Sequence, residues 1–524
     1  MRRVHFTILL IAAAAPSFGQ VAISPIALTG QQTPGAPAGV RYQAFFNPVI
    51  NDDGQLAFLS VLGGAGVGST NDRAILAGLP GQVRVIAREG DPAPGTPAGE
   101  TLQDLLPNTP ALNDVGDIGY VARLSPVGST TFNDLALYAG PITSPGLRAR
   151  SRWQAPDLPT GVNFDGFDAP WMNNGGQFAF TATLTGAGVG NENRQAVFSG
   201  ALDAPRLVAR NGTPAPQMPA GVDYSFVGGP VLSDAGQIVY AAGLRGAGVD
   251  GTNDQALYGG LPDAPALIMR RGDPAPGAPA GVRWGTPFFQ TLNQAGAVIF
   301  RASLIDGGGA LHTGIAAGPI ASPVVVARQG DPAPGAPGGV LYGETNSAPS
   351  LNDDGMIAFQ SLLQGSGVTF ANNNAIFAGM PGSLDMIARS GEPAPGFAGA
   401  NYSALNIPVL NNAGQLAYRA FLTGPGITSA NDGVLYLYDP DLGPIPLVRE
   451  GMTISVEGTL RTVAGDGINF QLFGASSTGF NKLGMAAVLL AFTDGSAGVF
   501  AVSIPEPGAA MLLVKGLLLW RRRR

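Results

Sequence analysis

An octapeptide that opens on a polar turn residue returns eight times along this chain. The copies are NDDGQLAF (51–58), NDVGDIGY (113–120), NNGGQFAF (173–180), SDAGQIVY (233–240), NQAGAVIF (293–300), NDDGMIAF (352–359), NNAGQLAY (411–418) and NKLGMAAV (481–488). Their glycines, Gly54, Gly116, Gly176, Gly236, Gly296, Gly355, Gly414 and Gly484, stand 62, 60, 60, 60, 59, 59 and 70 residues apart. A period this regular marks a repeat architecture, in which neighbouring units share their cores. A sixty-residue unit is small for a core of its own, so tandem small β-sandwiches are the weaker alternative.

One unit reads as four short strands. FFNPVI precedes the octapeptide, QLAFLSVL (55–62) follows its turn, RAILAGL (73–79) is third and QVRVIARE (82–89) fourth. Turn signals separate them, which predicts an antiparallel meander. The closing GDPAPGTPAG is a Pro-Gly crossover unsuited to a central strand. In the second strand Leu56, Phe58 and Leu62 point one way, and Ala57, Leu59 and Val61 the other. A strand apolar on both faces needs cover on both, which neighbouring blades of a β-propeller supply. The eighth unit lacks a fourth strand, whereas the stretch from Val21 starts with one left over, VAISPIALTGQQTPGAPAGV. Pairing the two removes both exposed edges. The expectation is all-β: a single eight-bladed β-propeller over 20–503, its ring closed by the N-terminal strand.

The ends carry addresses. Arg2 and Arg3, an apolar run and small residues before a break between Gly19 and Gln20 read as a secretory signal peptide over 1–19. Residues 504–524 hold Pro505-Glu506-Pro507, an apolar stretch interrupted by Lys515, and Arg521, Arg522, Arg523 and Arg524. That order resembles the PEP-CTERM sorting signal of Gram-negative bacteria. The resemblance implies recognition by an exosortase, transient anchoring in the inner membrane and delivery to the cell surface or extracellular matrix. Lys515 departs from the uninterrupted apolar run of that signal. A plain C-terminal anchor would also place the protein outside, by the positive-inside rule.

Composition narrows the chemistry. There is no cysteine, and His312 and Lys482 are the one His and one Lys between the two end segments. Most general bases, covalent nucleophiles and soft metal ligands are thereby missing. Without 1–19 and 504–524 the chain keeps 22 basic and 35 acidic residues, a net charge of −13. Such a surface repels nucleic acid and favours solubility.

Three recurring features are candidates for function. Asn or Asp before Gly between apolar strands is a hairpin signal, and the eight glycines are structural turn residues. The pattern is similar to the hairpin of TolB-like propeller repeats and to NxxGxxAF tandem-repeat proteins with surface-sorting tails. That second resemblance implies fold and location, and brings no activity. No cofactor is expected; a calcium loop would need closely spaced carboxylates, which NNGG and NNAG lack. The candidate ligand loops precede the third strand: Asn71-Asp72, Asn133-Asp134, Asn253-Asp254, Asn373-Asn374 and Asn431-Asp432. Their amides and carboxylates suit sugar hydroxyls. An arginine ends each fourth strand (Arg88, Arg150, Arg210, Arg270, Arg328, Arg389, Arg449), placed for an ion pair with an acid three residues on or for crossover carbonyls. No catalytic residues are assigned. The functional expectation is an exported, non-enzymatic surface or matrix protein binding polysaccharide. The alternative is a carbohydrate-active hydrolase or lyase using acids of the ring.

Overall fold

A computed structural model describes residues 21–125, 134–345, 347–470 and 479–504. The residues expected to form a signal peptide and a sorting signal, including Gly19, Gln20, Pro505 to Pro507 and Arg521 to Arg524, lie outside them, as does Asn133. Among the described residues there is no helix; strands form eight antiparallel sheets arranged as the blades of a propeller.

Blade 1 shows the rule. Val40–Phe45, Leu56–Gly64, Arg73–Gly78 and Arg84–Arg88 pair in chain order, each antiparallel to the next. The first strand starts at Val40, earlier than FFNPVI suggests. It breaks at Phe46-Asn47-Pro48, where Pro48 has no N–H to give a ladder, and resumes as Val49–Ile50. The octapeptide makes the turn that follows. Asn51 Oδ1 accepts the Gln55 N–H at 2.8 Å, and Gly54 takes φ 80°. All eight turn residues, including Ser233 through its hydroxyl, accept the N–H four residues on. All eight glycines have φ between 70° and 84°, a region open to glycine at little cost.

The two faces of each second strand enter different cores. Leu56, Phe58 and Leu62 pack with Ala487 and Val499 of blade 8, while Ala57 and Leu59 pack with Tyr120 and Tyr138 of blade 2. The aromatic that ends the octapeptide pairs across to the third strand in five blades. Tyr120–Tyr138, Phe180–Phe198, Tyr240–Tyr258, Phe359–Phe377 and Tyr418–Tyr436 stack at centroid distances of 5.2–5.9 Å. Each such pair adds about 0.5–1.5 kcal/mol beyond its area burial.

The ring closes as its ends require. Ala22–Leu28 pairs antiparallel with Ala497–Ser503 and completes blade 8 as its fourth strand. The crossovers cover outer edges. Val85 N donates to Pro34 O (3.3 Å), Val325 N to Pro276 O (2.7 Å), and Leu207 N to Asp157 Oδ2 (3.1 Å). Each crossover thus lies on the outer strand of the following blade and blunts its exposed edge. Unit 8 departs from the pattern. A tight hairpin, Thr453–Val456 against Thr459–Phe470, replaces the Pro-Gly crossover.

Candidate functional site

The polar residues of the octapeptide tie one blade to the next. Asn51 Nδ2 donates to Asn113 O, Asn113 Nδ2 to Asn173 O and Asn173 Nδ2 to Ser233 O, each at 2.8 Å. The series resumes with Asn293 to Asn352, Asn352 to Asn411 and Asn411 to Asn481, and closes with Asn481 Nδ2 to Asn51 O at 3.0 Å. Seven of eight junctions are tied this way; Ser233 carries no amide to extend to Asn293. A second set runs beside it. The N–H of Asp52, Asp114, Asn174, Gln294, Asp353 and Lys482 each donates to the Oδ1 of its counterpart in the next blade. The sequence signals only the hairpin; the tie between blades needs a partner about sixty residues away.

These second residues surround the axis at one end of the ring. Asn174 Nδ2 reaches Gln294 Oε1, two blades away, at 3.3 Å, and Lys482 Nζ lies 3.7 Å from Asp52. Burial raises the carboxyls of Asp52 and Asp353 above their usual range. Asp114 adds repulsion to both, while Lys482 pulls Asp52 back down. Beside them lies a cavity of about 380 Å³, lined by Asp52, Asp114, Asp353, Trp171, Phe289 and Gln290 among others. Its walls come from the first strands of several blades, which places those strands innermost.

Blade 5 breaks the repeat at this cavity. Three residues before the turn, blades 1–4, 6 and 7 carry Pro48, Pro110, Pro170, Pro230, Pro349 and Pro408; blade 5 carries Gln290. Gln290 Nε2 donates to Gly229 O of blade 4 at 2.8 Å. Phe289 beside it has φ 51°, where the equivalent Gly229 has φ 60°. The Arg301 guanidinium sits over the rings of Phe288 (4.6 Å) and Phe289 (5.6 Å).

The loops before the third strand spend their asparagines on themselves. Asn71 Oδ1 accepts the Gly68 N–H at 2.8 Å, and its Nδ2 donates to Gly66 O at 3.0 Å. Asn193, Asn253, Asn372 and Asn431 repeat both bonds. In blade 6 the equivalent pair is therefore Asn372-Asn373, one residue earlier than Asn373-Asn374. Asp134 is buried against Arg150, and Asp254 lies 3.3 Å from Arg271. Asp72 bonds buried Glu89, whose carboxyl is pushed up to about 7, first by burial and then by Asp72. Asp432 keeps its backbone O on the Leu422 N–H.

The arginines bond these loops rather than the crossovers. Arg88, Arg210, Arg270, Arg389 and Arg449 donate Nε–H to the carbonyls of Asn71, Asn193, Asn253, Asn372 and Asn431 at 2.6–3.1 Å. The expected pair with an acid three residues on forms at Arg328–Asp331 (2.7 Å). His312 lies 3.2 Å from Asp306 in the short blade 5 hairpin, away from the axial cavity residues. Among the described residues no group of three or more His, Asp or Glu side chains is gathered as a metal site.

Eight four-stranded blades, closed by a strand from the opposite end of the chain, define an eight-bladed β-propeller. The chain belongs to DUF7453, a family of unknown function, whose model matches residues 17–144, 144–318 and 286–511. No curated protein matches it. Similar solved structures include a puromycin-hydrolyzing peptidase of Mycobacterium tuberculosis, at 12% identity and TM-score 0.37, covering 90% of this chain and 60% of that one. The β-propeller domain of the Trilobed protease from Pyrococcus furiosus is 7% identical, with TM-score 0.38, covering 77% of this chain and 97% of that one. A putative TolB from Agrobacterium tumefaciens is 12% identical, with TM-score 0.25, covering 55% and 82%. The chain spans about three fifths of the puromycin-hydrolyzing peptidase. At these identities the likeness is one of fold alone.

Proposed function

We propose that this protein is an exported, non-enzymatic propeller of the cell surface or extracellular matrix that binds polysaccharide in its axial cavity. The observation that carries the reading is the cavity itself, where aromatic side chains meet carboxylates and amides. Aromatic faces and convergent hydrogen-bonding groups are the means by which concave sites hold polar ligands with apolar faces. Export rests on the signal peptide over 1–19 and on the PEP-CTERM-like tail. An exosortase is the sorting partner, acting at Pro505-Glu506-Pro507 with Arg521 to Arg524 as the cytoplasmic stop.

Two measurements test it. Fractionation of cells carrying the full chain should find it outside; a variant lacking Arg521 to Arg524 should be missorted. Retention of the intact chain in the cytoplasm would sink the export reading. A glycan array with the purified protein should show binding without turnover. Product release abolished by one acid substitution would instead establish a hydrolase or lyase.

A further inference from the structure

We infer that the axial cavity takes an uncharged sugar ring stacked on Phe289, with blade 5 as the blade that determines specificity. The inference rests on the polysaccharide reading above and narrows it to one subsite and one chemical class. Its strongest support is a residue in an unfavourable place. Phe289 adopts φ 51°, a region that bulky side chains rarely occupy, and its neighbour blade uses Gly229 at that position. Phe289 is nonetheless 54% exposed, so burial repays little of that cost. The local geometry holds the ring out. Arg301 lies over Phe288 and Phe289, and the bond from Gln290 to Gly229 O fixes the backbone just beyond.

The rest of the cavity selects the ligand. A volume of about 380 Å³ lies at the small end of ligand sites, roughly 300–1,000 Å³, and suits one or two sugar rings rather than a long chain. Trp171 contributes a second aromatic wall. Gln290, Asp52, Asp114 and Asp353 offer acceptors for hydroxyl donors. Three carboxylates line the cavity and Lys482 pairs with one of them, so uronate or sulfated sugars meet repulsion. A neutral hexose unit satisfies the aromatic wall and the acceptors without adding charge.

The test uses the full-length protein with neutral gluco-, galacto- and manno-oligosaccharides against hexuronate oligosaccharides. The wild type should bind a neutral series and reject the hexuronates. Phe289→Gly should weaken that binding about tenfold or more, the scale of one lost aromatic contact. The same variant should melt no lower than wild type, since glycine relieves the backbone; this separates a lost contact from a lost fold. Phe289→Tyr should retain binding, and Asn253→Ala, in a remote loop, should leave affinity unchanged at equal fold. Binding of neutral glycan that ignores Phe289, or a preference for hexuronates, overturns this inference and leaves polysaccharide binding standing. A wild type that binds no glycan overturns both.

Discussion

Asn51 is 1% exposed and holds three partners at once: it accepts from Gln55 N–H and donates to Asn113 O and to Gln55 Oε1. Replacing it with Ala leaves the Gln55 N–H unpaired, at about 1–3 kcal/mol, and strips one of two bonds from Asn113 O, which keeps the Gly116 N–H, at about 0.5–1.5 kcal/mol. Asn51→Ala should therefore lose about 2–4 kcal/mol in denaturant unfolding; a loss under 0.5 kcal/mol, the ordinary surface scale, would mean that the turn relaxes. The complementary change is Ser233→Asn, which restores the donor missing between blades 4 and 5. It should gain about 0.5–1.5 kcal/mol. Glu89 gives a pH signature at the same scale. Its folded carboxyl titrates near 7 against an ordinary 4.5, so the folded state holds the extra proton between those values. Stability is then highest below the ordinary value and falls as pH rises from about 4.5 to 7. Glu89→Gln keeps an acceptor for Arg73 N–H and needs no ionisation. It should exceed wild-type stability at pH 8 by roughly 1–3 kcal/mol and match it near pH 4. Equal stabilities at pH 8 would show that the carboxyl ionises without cost.

At the scale of the element, much was legible because strands obey a period of two. The opposed faces of QLAFLSVL assigned Leu56 and Phe58 to one core and Ala57 and Leu59 to another, and the cores follow that division. The surplus strand near Val21 was legible from edge chemistry, and it pairs with Ala497–Ser503. Removing Val21 to Gln31 should expose the whole edge of Ala497–Ser503 and sharply lower the melting temperature; an unchanged transition would mean that closure contributes nothing. The first strand was less legible. Its break at Phe46 to Pro48 put FFNPVI across two segments, because a proline that ends pairing also resembles a strand boundary. The candidate site was legible least of all. Asn71 and Asp72 looked available for ligand, yet five-residue contacts within the loop satisfy Asn71, and Glu89 lies seventeen residues further on. The axial cavity joins residues from seven blades, so no local window of sequence contains it. One signal was present: in six other blades a proline stands where blade 5 has Gln290, a departure from the repeat visible on alignment of the units.

At the scale of the whole molecule, closure is a question of kinetics as much as of stability. The strand Ala22–Leu28 belongs by chain to blade 1 and by pairing to blade 8. Blade 8 cannot part from blade 1 without stripping that strand from Ala497–Ser503. Ser503 stands opposite Ala22, so a short linker between them turns the two strands into a hairpin. A circular permutant built this way, with new ends in the exposed crossover near Gly35, keeps every strand pair. It loses only the covalent bond across the seam. Blades 1 and 8 would then be joined by non-covalent contacts alone: the bonds of Asn481 and Lys482, those of Gly30 to Pro34 with Val40, Tyr42 and Val85, and the packing of Leu56 and Phe58 on Ala487 and Val499. Interactions already broken in the transition state for unfolding govern the unfolding rate. The permutant should therefore fold to the same blades, yet unfold at least tenfold faster in denaturant, a barrier change of about 1.4 kcal/mol that appears as an equal loss of stability where the folding rate is unchanged. Equal unfolding rates would show that the seam opens elsewhere, and the junction between blades 4 and 5, where Ser233 leaves the ring of ties open, would be the place to look.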